Sequence, residues 1–267
     1  MMSSLKLAFE HDGQVARVAL AAPKANIVDQ AMLAALAAAF EDLRNRPQLK
    51  VMVLTGEGPH FSFGASVQEH LPDHVRAMLP RFGGLLGQLL ELPAVTLAAV
   101  RGQCLGGGFE LALACDFIVA EEGAAFACPE IKLAVFPPAA AVLLPARIGV
   151  SRAAELVLTG AAWSVAQAEE AGLIVRTAPQ GQLEAMVETW IRDHFLARSP
   201  VALRYGVHAH ASRCGGHCSR TCHNLSACTS TNSWRSPTPW KDSVPLWKNV
   251  SLAGRKIGKR EERSRES

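Results

Sequence analysis

Apolar and polar positions follow two different periods along the first 200 residues. Short runs of alternating or continuous apolar residues predict strands, and longer runs with helical spacing predict helices between them. The predicted strands are Leu5–Phe9, Val15–Leu20, Val51–Leu54, Val95–Val100, Phe117–Ala120, Ala125–Ala127 and Leu173–Val175. The predicted helices are Met32–Leu43, about 74–90, Ser151–Leu158, Val165–Ala171 and Leu183–Leu196. This alternation favours an α/β fold with a parallel sheet and crossover helices.

Local signals refine several of these elements. The first two strands flank a His-Asp-Gly-Gln turn and are predicted to form a hairpin. Asp29 stands where it can cap the first helix. Pro80 and the Gly83-Gly84 pair are expected to bend or break the second helix. The stretch 55–70 is rich in glycine and polar residues, and we expect it to be a loop outside the core.

The segment GQCLGGGFELALACDF, residues 102–117, organises the chain. Three glycines, residues 106–108, follow an apolar strand and open an apolar segment that is predicted to be a buried helix. A helix start offers unpaired N–H groups to an oxygen that becomes negative. Glu110 lies one turn inside this start. A plain glycine turn that packs a helix on a sheet is the alternative interpretation.

Candidate chemistry gathers at three loop or helix starts. They are the turn Phe63-Gly64-Ala65-Ser66, Gly107 with Glu110, and Pro129-Glu130. Two separated carboxylates and two loops that can offer backbone N–H groups indicate acid/base work on a polarised carbonyl.

These residues resemble the crotonase (enoyl-CoA hydratase) superfamily over roughly Leu5 to Arg204. The resemblance implies a spiral of ββα units with a C-terminal helical region, assembled as a trimer or a dimer of trimers. It implies an acyl-CoA thioester as substrate, with coenzyme A as part of that substrate and neither a metal nor a redox cofactor. The motifs that carry it are FSFGAS, RGQCLGGGFELALACDF, FACPEIKLAVFPPAA and GLIV.

Position by position, the resemblance implies the roles of single residues. The N–H groups of Ala65 and Gly107 match the oxyanion hole, and Glu110 and Glu130 match the paired catalytic carboxylates. Because family members with other chemistry often lack one carboxylate, the pair favours hydration or dehydration. The implied substrate-binding residues are Lys24, Ala25, Ile27, Phe63, Ser66, Val67, Gly106, Pro129, Leu133 and Pro138. Lys24 would meet a phosphate or ribose, although a solvated surface lysine is the alternative.

Two departures from the common motif narrow the expected substrate. Phe63-Gly64-Ala65-Ser66 stands where Ala-Gly-Ala-Asp is common, and the stretch 136–140, Phe-Pro-Pro-Ala-Ala, replaces a glycine-rich turn. The combination is similar to the branch that hydrates cyclohexa-1,5-diene-1-carbonyl-CoA in anaerobic benzoyl-CoA degradation. Phe63 and the proline pair would shape a pocket for a flat ring, or else they pack as ordinary loop residues. A general enoyl-CoA hydratase and an inactive binding protein of the same fold are the alternatives.

Composition and charge divide the chain in two. The net charge is +3, 49% of residues are hydrophobic, and no run of 18 apolar residues occurs. The N-terminus has no charged-then-apolar signal pattern, so a cytoplasmic address without a membrane span is expected. From His208 onward, however, 11 Lys and Arg face 4 Asp and Glu, which gives this segment +7 and the remainder −4. Four of the seven cysteines and three of the five tryptophans also lie there.

The segment 208–267 therefore needs a separate explanation. Its Cys and His residues between 214 and 223 suggest zinc, but their spacing is irregular and no second clean pair follows. Read one nucleotide earlier, the codons of the stretch from Trp240 permit VEGFRAFMEKR, which resembles the C-terminal helix of crotonases. We therefore expect a frameshift near 207–213, a core over 1–207 and a basic tail of low order over 208–267. The tail would be solvated charge without specific nucleic-acid binding, and the loss of the C-terminal helices puts the expected oligomer in doubt.

Overall fold

The computed structural model describes residues 4–23, 25–70 and 72–210, and it has two sheets. The six-stranded sheet has the order β1-β2-β3-β4-β6-β9, and the three-stranded sheet has the order β5-β7-β8. The strands are β1 Leu5–Glu10, β2 Val15–Leu20, β3 Val51–Gly56, β4 Val95–Val100, β5 Gln103–Leu105, β6 Phe117–Glu121, β7 Ala125–Ala127, β8 Ala162–Ser164 and β9 Arg176–Ala178.

The large sheet is parallel except for its first hairpin. β1 and β2 pair antiparallel from Leu5 opposite Leu20 to Glu10 opposite Val15, as predicted. Each later neighbour pairs in parallel. Because parallel neighbours need a crossover connection, helices lie between them along the chain. The predicted α/β class, with a parallel sheet and crossover helices, is confirmed.

Helices cover both faces of the large sheet. They are α1 Gln30–Arg44, α2 Pro72–Leu90, α3 Gly106–Leu113, α4 Pro138–Ile148, α5 Val150–Thr159, α6 Val165–Glu170, α7 Leu183–Ile191 and α8 over residues 200–210. α7 continues into a π-helical turn at Arg192–Leu196. Asp29 caps α1 by accepting a hydrogen bond from the Met32 N–H at 2.9 Å, which confirms the predicted cap.

Side chains of β3 show how the sheet divides the core. Met52 and Leu54 join the larger apolar cluster, with α1, α2 and α3. Val51 and Val53 point to the other face and pack with residues of α7. Because side chains alternate between the two faces of a strand, a strand with both faces buried is apolar throughout.

One strand prediction is wrong, and of the bend or break expected in the second helix the break does not occur. Leu173–Val175 is not a strand: Leu173 and Ile174 are buried where α6 ends, and the strand β9 starts at Arg176. The apolar residues at these positions are explained by their burial and not by membership of a strand. The second helix is not broken at Pro80, because α2 is continuous from Pro72 to Leu90. Its buried side chains, among them Phe82 and Leu86, fix it against the core and offset the hydrogen bond that Pro80 cannot make.

The predicted loop 55–70 is more ordered than expected, and the stretch 128–138, which was assigned neither strand nor helix, contains helical structure. Within 55–70, the side chains of Phe61 and Ser62 are fully buried, so this loop contributes to the core. Within 128–138, a short 3₁₀ helix spans Pro129–Leu133 and α4 begins at Pro138. The helix α4 and the strands β5 and β8 were not predicted.

Some predictions fall outside the described residues. Lys24 and the stretch 211–267 lie there, as does the side chain of Val67. The predicted tail and its frameshift therefore stay predictions.

Among the helices that the structure describes, none combines the length and apolar character needed to cross a membrane.

Candidate active site

The loop that follows β3 is fixed by hydrogen bonds to the segment before α1. Phe63 donates its N–H to the Ala25 carbonyl at 3.0 Å, and Val28 donates to the Gly64 carbonyl at 2.9 Å. The Ser62 hydroxyl donates to the Asn26 carbonyl at 2.7 Å and accepts from the Gly64 N–H at 3.0 Å. These bonds hold the backbone of the three residues that lead into Ala65.

Two buried polar side chains in this region were missed by sequence reasoning. Asn26 donates its side-chain N–H groups to the carbonyls of Glu57 and His60, each at 3.0 Å. Ser62 makes the two bonds just described. A positive φ of 49° at Asn26 is a conformation that asparagine tolerates better than most residues, and this was the available signal.

The first turn of α3 lies against this loop. A Cβ placed on Gly107 would stand 3.2 Å from both the nitrogen and the Cβ of Ala65, and one placed on Gly64 would stand 3.4 Å from the Gly107 nitrogen. The amides of Ala65 and Gly107 are therefore neighbours. First-turn amides of a helix have no intrahelical acceptor. Among the described residues, nothing accepts a hydrogen bond from the Ala65 N–H.

Gly106 brings the second carboxylate to the same place. A Cβ on Gly106 would stand 2.6 Å from Oε1 of Glu130, and the φ of Gly106 is +50°. Only glycine fits this position without strain, since both the backbone conformation and the space exclude a side chain. The start of α3 thus contacts Ala65 through Gly107 and Glu130 through Gly106.

Glu110 is held by the start of another helix. Its Oε1 accepts hydrogen bonds from the N–H groups of Ala139 at 2.8 Å and Ala140 at 3.0 Å, in the first turn of α4. The residue is 4% exposed. Burial raises the pKa of the Glu110 carboxyl to about 7, although the two N–H donors act in the opposite direction.

Glu130 has weaker support. It is half-buried at the start of the 3₁₀ helix, and its Oε2 is enclosed without a hydrogen-bond partner among the described residues. Burial and then the charge of Glu110 raise the pKa of the Glu130 carboxyl to about 7. The charge of Glu110 acts on Glu130 because the two carboxyls share one region.

The arrangement can donate and accept a proton near neutral pH beside two backbone N–H groups. Both carboxyls titrate close to pH 7, the range that suits general acid/base work. Cys128 lies close enough for both carboxylates to raise its thiol pKa, after burial. A buried thiol of raised pKa is inert, so Cys128 is a core residue here.

A metal-ligand geometry occurs elsewhere in the described part of the chain. Glu10, His11 and Glu188 bring their oxygen and nitrogen atoms within 4.8 Å of one another. Arg17 already pairs with both glutamates, at 2.8 Å and 3.1 Å. A bound cation would have to displace this guanidinium.

The remaining predicted site residues lie around the two carboxylates or at the edge of the site. Pro138 is the first residue of α4, and Pro129 the first of the 3₁₀ helix. Ala25 contacts the first loop through the Phe63 N–H. Phe63 and Leu133 are 40% and 47% exposed. Ile27 and Ser66 are half-buried beside the bridge that joins Val28 to Ala65.

Comparison with known proteins identifies the family. The family model described as enoyl-CoA hydratase/isomerase matches residues 10–211. The chain belongs to this family. Its relatives include a cyclohexa-1,5-dienecarbonyl-CoA hydratase from Thauera aromatica, 44% identical over 212 residues, which are 79% of this chain and 81% of the relative. A carnitinyl-CoA dehydratase from Salmonella paratyphi A is 36% identical over 191 residues, 68% of this chain and 71% of the relative.

Solved structures of the family have the same fold. An enoyl-CoA hydratase/isomerase from Xanthobacter autotrophicus Py2 superposes with a TM-score of 0.80 at 26% identity, covering 96% of this chain and 98% of its own. An enoyl-CoA hydratase from Mycobacterium avium subsp. paratuberculosis K-10 has a TM-score of 0.76 at 26% identity, covering 85% and 92%. The family-level prediction is thereby confirmed.

Proposed function

We propose that this protein is a hydro-lyase that adds water to a conjugated acyl-CoA thioester, with Glu110 and Glu130 as the catalytic carboxylates. The observation that carries the proposal is the shared location of four groups. The Glu130 carboxylate touches Gly106, the next residue contacts the amide of Ala65, and Glu110 lies one turn further along the same helix.

The two amides would form the oxyanion hole. When water attacks the β-carbon, negative charge develops on the thioester oxygen, and fixed N–H donors stabilise that charge in the transition state. Ala65 and Gly107 offer such donors side by side. Loss of one donor of this kind costs about 3 kcal/mol of transition-state stabilisation.

The different support of the two carboxyls suggests different roles. Glu110 accepts two N–H hydrogen bonds, which favour its ionised form, and it would take the proton of the attacking water. Glu130 carries a buried oxygen that no described residue donates to, and it lies in the field of Glu110, so it would hold a proton and deliver it to carbon. Two coupled carboxyls near pH 7 would then share one proton between them.

Within this reaction class we propose cyclohexa-1,5-diene-1-carbonyl-CoA as the substrate and 6-hydroxycyclohex-1-ene-1-carbonyl-CoA as the product. Water would lose a proton to the base while its oxygen bonds to the β-carbon of the ring. The resulting dienolate would take its proton at its far end instead of at the α-carbon, so that one double bond remains beside the thioester. The 44% identity to a hydratase of that name supports this assignment.

Competition between substrates tests the proposal. Hydration of the cyclic diene thioester and of crotonyl-CoA is measured with the same enzyme preparation at high protein concentration. We expect kcat/KM to favour the cyclic diene at least tenfold. A preference for the linear substrate would replace the assignment with a general enoyl-CoA hydratase, and no hydration of either would favour a binding protein of this fold.

The chain beyond residue 207 bears on activity and assembly. We propose that the coding sequence is out of frame after 207–213, and the family match supports this because it ends at residue 211. The expected trimer or hexamer would then lack its usual C-terminal cover. Re-sequencing the encoding DNA tests the frame, and size-exclusion chromatography of the repaired and original chains tests the assembly.

A further inference from the structure

The backbone N–H groups at the start of α4 can be accounted for completely. Pro138 occupies the first helical position and has no N–H. The next two N–H groups, of Ala139 and Ala140, both donate to Oε1 of Glu110. The fourth, of Ala141, donates to the Pro137 carbonyl at 3.0 Å and closes the first turn.

We propose that the N-terminus of α4 positions the Glu110 carboxylate. Pro138, which has no N–H, leaves this helix start without a further donor for any other acceptor. A helix start normally offers several free donors to nearby anions and water. Here the first helical position lacks a donor, and both remaining ones bind the same oxygen. The inference rests on the proposed function, since it assigns a purpose to the orientation of Glu110.

A second contact fixes α4 relative to α3, the helix that carries Glu110. Arg147, in the last turn of α4, donates a hydrogen bond to the Cys115 carbonyl just beyond the end of α3. α4 is thus joined to the α3 segment at its first turn through Glu110 and at its last turn through Arg147. Because two separated contacts restrain a helix more than one does, Glu110 Oε1 is held in one place.

This arrangement has a consequence for the attacking water. Since no N–H of the first turn of α4 remains free, water at the site would be oriented by the two carboxylates and not by α4. Glu110 would present its second oxygen, Oε2, to that water. Pro138 therefore acts through Glu110 and is a positioning residue, a role different from the substrate contact that the sequence implied.

Removing a single N–H donor gives the sharpest test. An ester replaces the amide between Pro138 and Ala139 when the α-hydroxy analogue of alanine is incorporated at position 139 by nonsense suppression. The matched control places the same ester before Ala141, whose N–H bonds the Pro137 carbonyl and not Glu110. Both changes remove one backbone hydrogen bond from the same helical turn.

The readout is the pKa of Glu110 itself, followed by ¹³C NMR of labelled glutamate carboxyls and assigned with Glu110→Gln. We expect the ester at 139 to raise this pKa by about one unit, because a donor to the ionised form is lost. The control ester should leave it unchanged. Equal shifts in the two variants, or none in either, would overturn the proposal.

Activity provides a separate readout. We expect kcat at pH 6.5 to fall about tenfold with the ester at 139, as one pKa unit implies, while KM changes less than twofold. If the unmodified protein hydrates no thioester, the proposed function fails, but the pKa comparison still decides the positioning role. An unshifted pKa in an active enzyme would remove the positioning role alone.

Two proline-to-alanine substitutions test whether the missing N–H of Pro138 matters for Glu110. Pro138→Ala adds an N–H to the first turn, so the acidic limb of the pH profile should move to lower pH. Pro145→Ala makes the same change near the other end of α4 and should leave the profile in place. Identical profiles for both variants would contradict a dedicated role for Pro138.

Discussion

Glu110 and Glu130 are carboxylates of one site, yet the chain supports them differently. Glu110 is nearly fully buried and bound by two N–H donors of a helix start. Glu130 is half-buried in a short 3₁₀ helix and contacts a glycine, and within the described part of the chain its enclosed Oε2 has no donor. The start of α4 thus supplies donors to one carboxylate and not to the other, and this difference supports the proposal that Glu110 accepts a proton and Glu130 holds one.

The largest effect should come from neutralising either carboxylate. Glu110→Gln and Glu130→Gln should each lower kcat by about 10²- to 10⁴-fold, the usual contribution of a general acid or base. Both variants should keep the fold, since the amide of glutamine has nearly the shape of the carboxyl. Steady-state hydration kinetics with circular dichroism measure this, and a variant that keeps more than half of the wild-type kcat would refute the role of its residue.

A smaller effect on kcat is expected from a substitution that displaces the Glu130 carboxylate. Gly106→Ala introduces a Cβ that would stand 2.6 Å from Glu130 Oε1 at a φ of +50°. We expect kcat to fall by about 10- to 100-fold and the free energy of unfolding to drop by about 1–2 kcal/mol, the cost of a left-handed conformation with a side chain.

Gly87→Ala in α2 is the matched control for that change. Nothing lies within 4 Å of a Cβ there, so this variant should keep full activity and gain about 0.5–1 kcal/mol in stability. Thermal unfolding and steady-state kinetics of the Gly106→Ala and Gly87→Ala variants test whether Gly106 positions Glu130. Equal kinetic behaviour of the two alanine variants would mean that Gly106 does not position Glu130.

A milder change concerns the loop that carries Ala65. Ser62→Ala removes the hydroxyl that bonds the Asn26 carbonyl and the Gly64 N–H. Leaving buried polar groups unpaired should lower the free energy of unfolding by about 1–3 kcal/mol and lower kcat several-fold through a looser oxyanion hole. Urea unfolding and kinetics test this. An unaltered free energy of unfolding would contradict a stabilising role for the two hydrogen bonds of the Ser62 hydroxyl.

The last prediction concerns how the free energy of unfolding depends on pH. The pKa of each carboxyl is raised in the folded protein to about 7, so between the unfolded-state pKa and pH 7 the folded state binds more protons. Stability from these groups is therefore full at low pH and decreases as pH rises through 7. The double variant Glu110→Gln/Glu130→Gln should lose less stability between pH 5 and pH 8 than the wild type in urea unfolding, and an equal loss would contradict the raised pKa values.

The sequence marks the residues of the candidate site more clearly than it marks the groups that hold them. The glycine run and both glutamates carry local signals, since positive φ and close approach require glycine at Gly106. The donors to Glu110 are backbone groups of alanines 29 and 30 residues away, and no side-chain pattern marks them. Prolines before an alanine run were the one available indication of a helix start.

The same limit explains the errors in the fold. Leu173 and Ile174 are apolar because they are buried, and burial alone does not distinguish a strand from a packed turn. Ser62 lies in a polar stretch, yet its hydroxyl is buried and paired with backbone groups far along the chain. Long-range pairing of this kind depends on the tertiary structure.

Isotope transfer from solvent tests the central claim most directly. The protein is incubated with cyclohexa-1,5-diene-1-carbonyl-CoA in H₂¹⁸O, beside the Glu110→Gln variant, and the thioester is analysed by mass spectrometry. The account predicts one ¹⁸O atom in a hydroxylated product of the wild type and a loss of at least 100-fold in its rate for the variant. Equal ¹⁸O incorporation by both proteins, or none by the wild type with this or any other conjugated acyl-CoA, would contradict it.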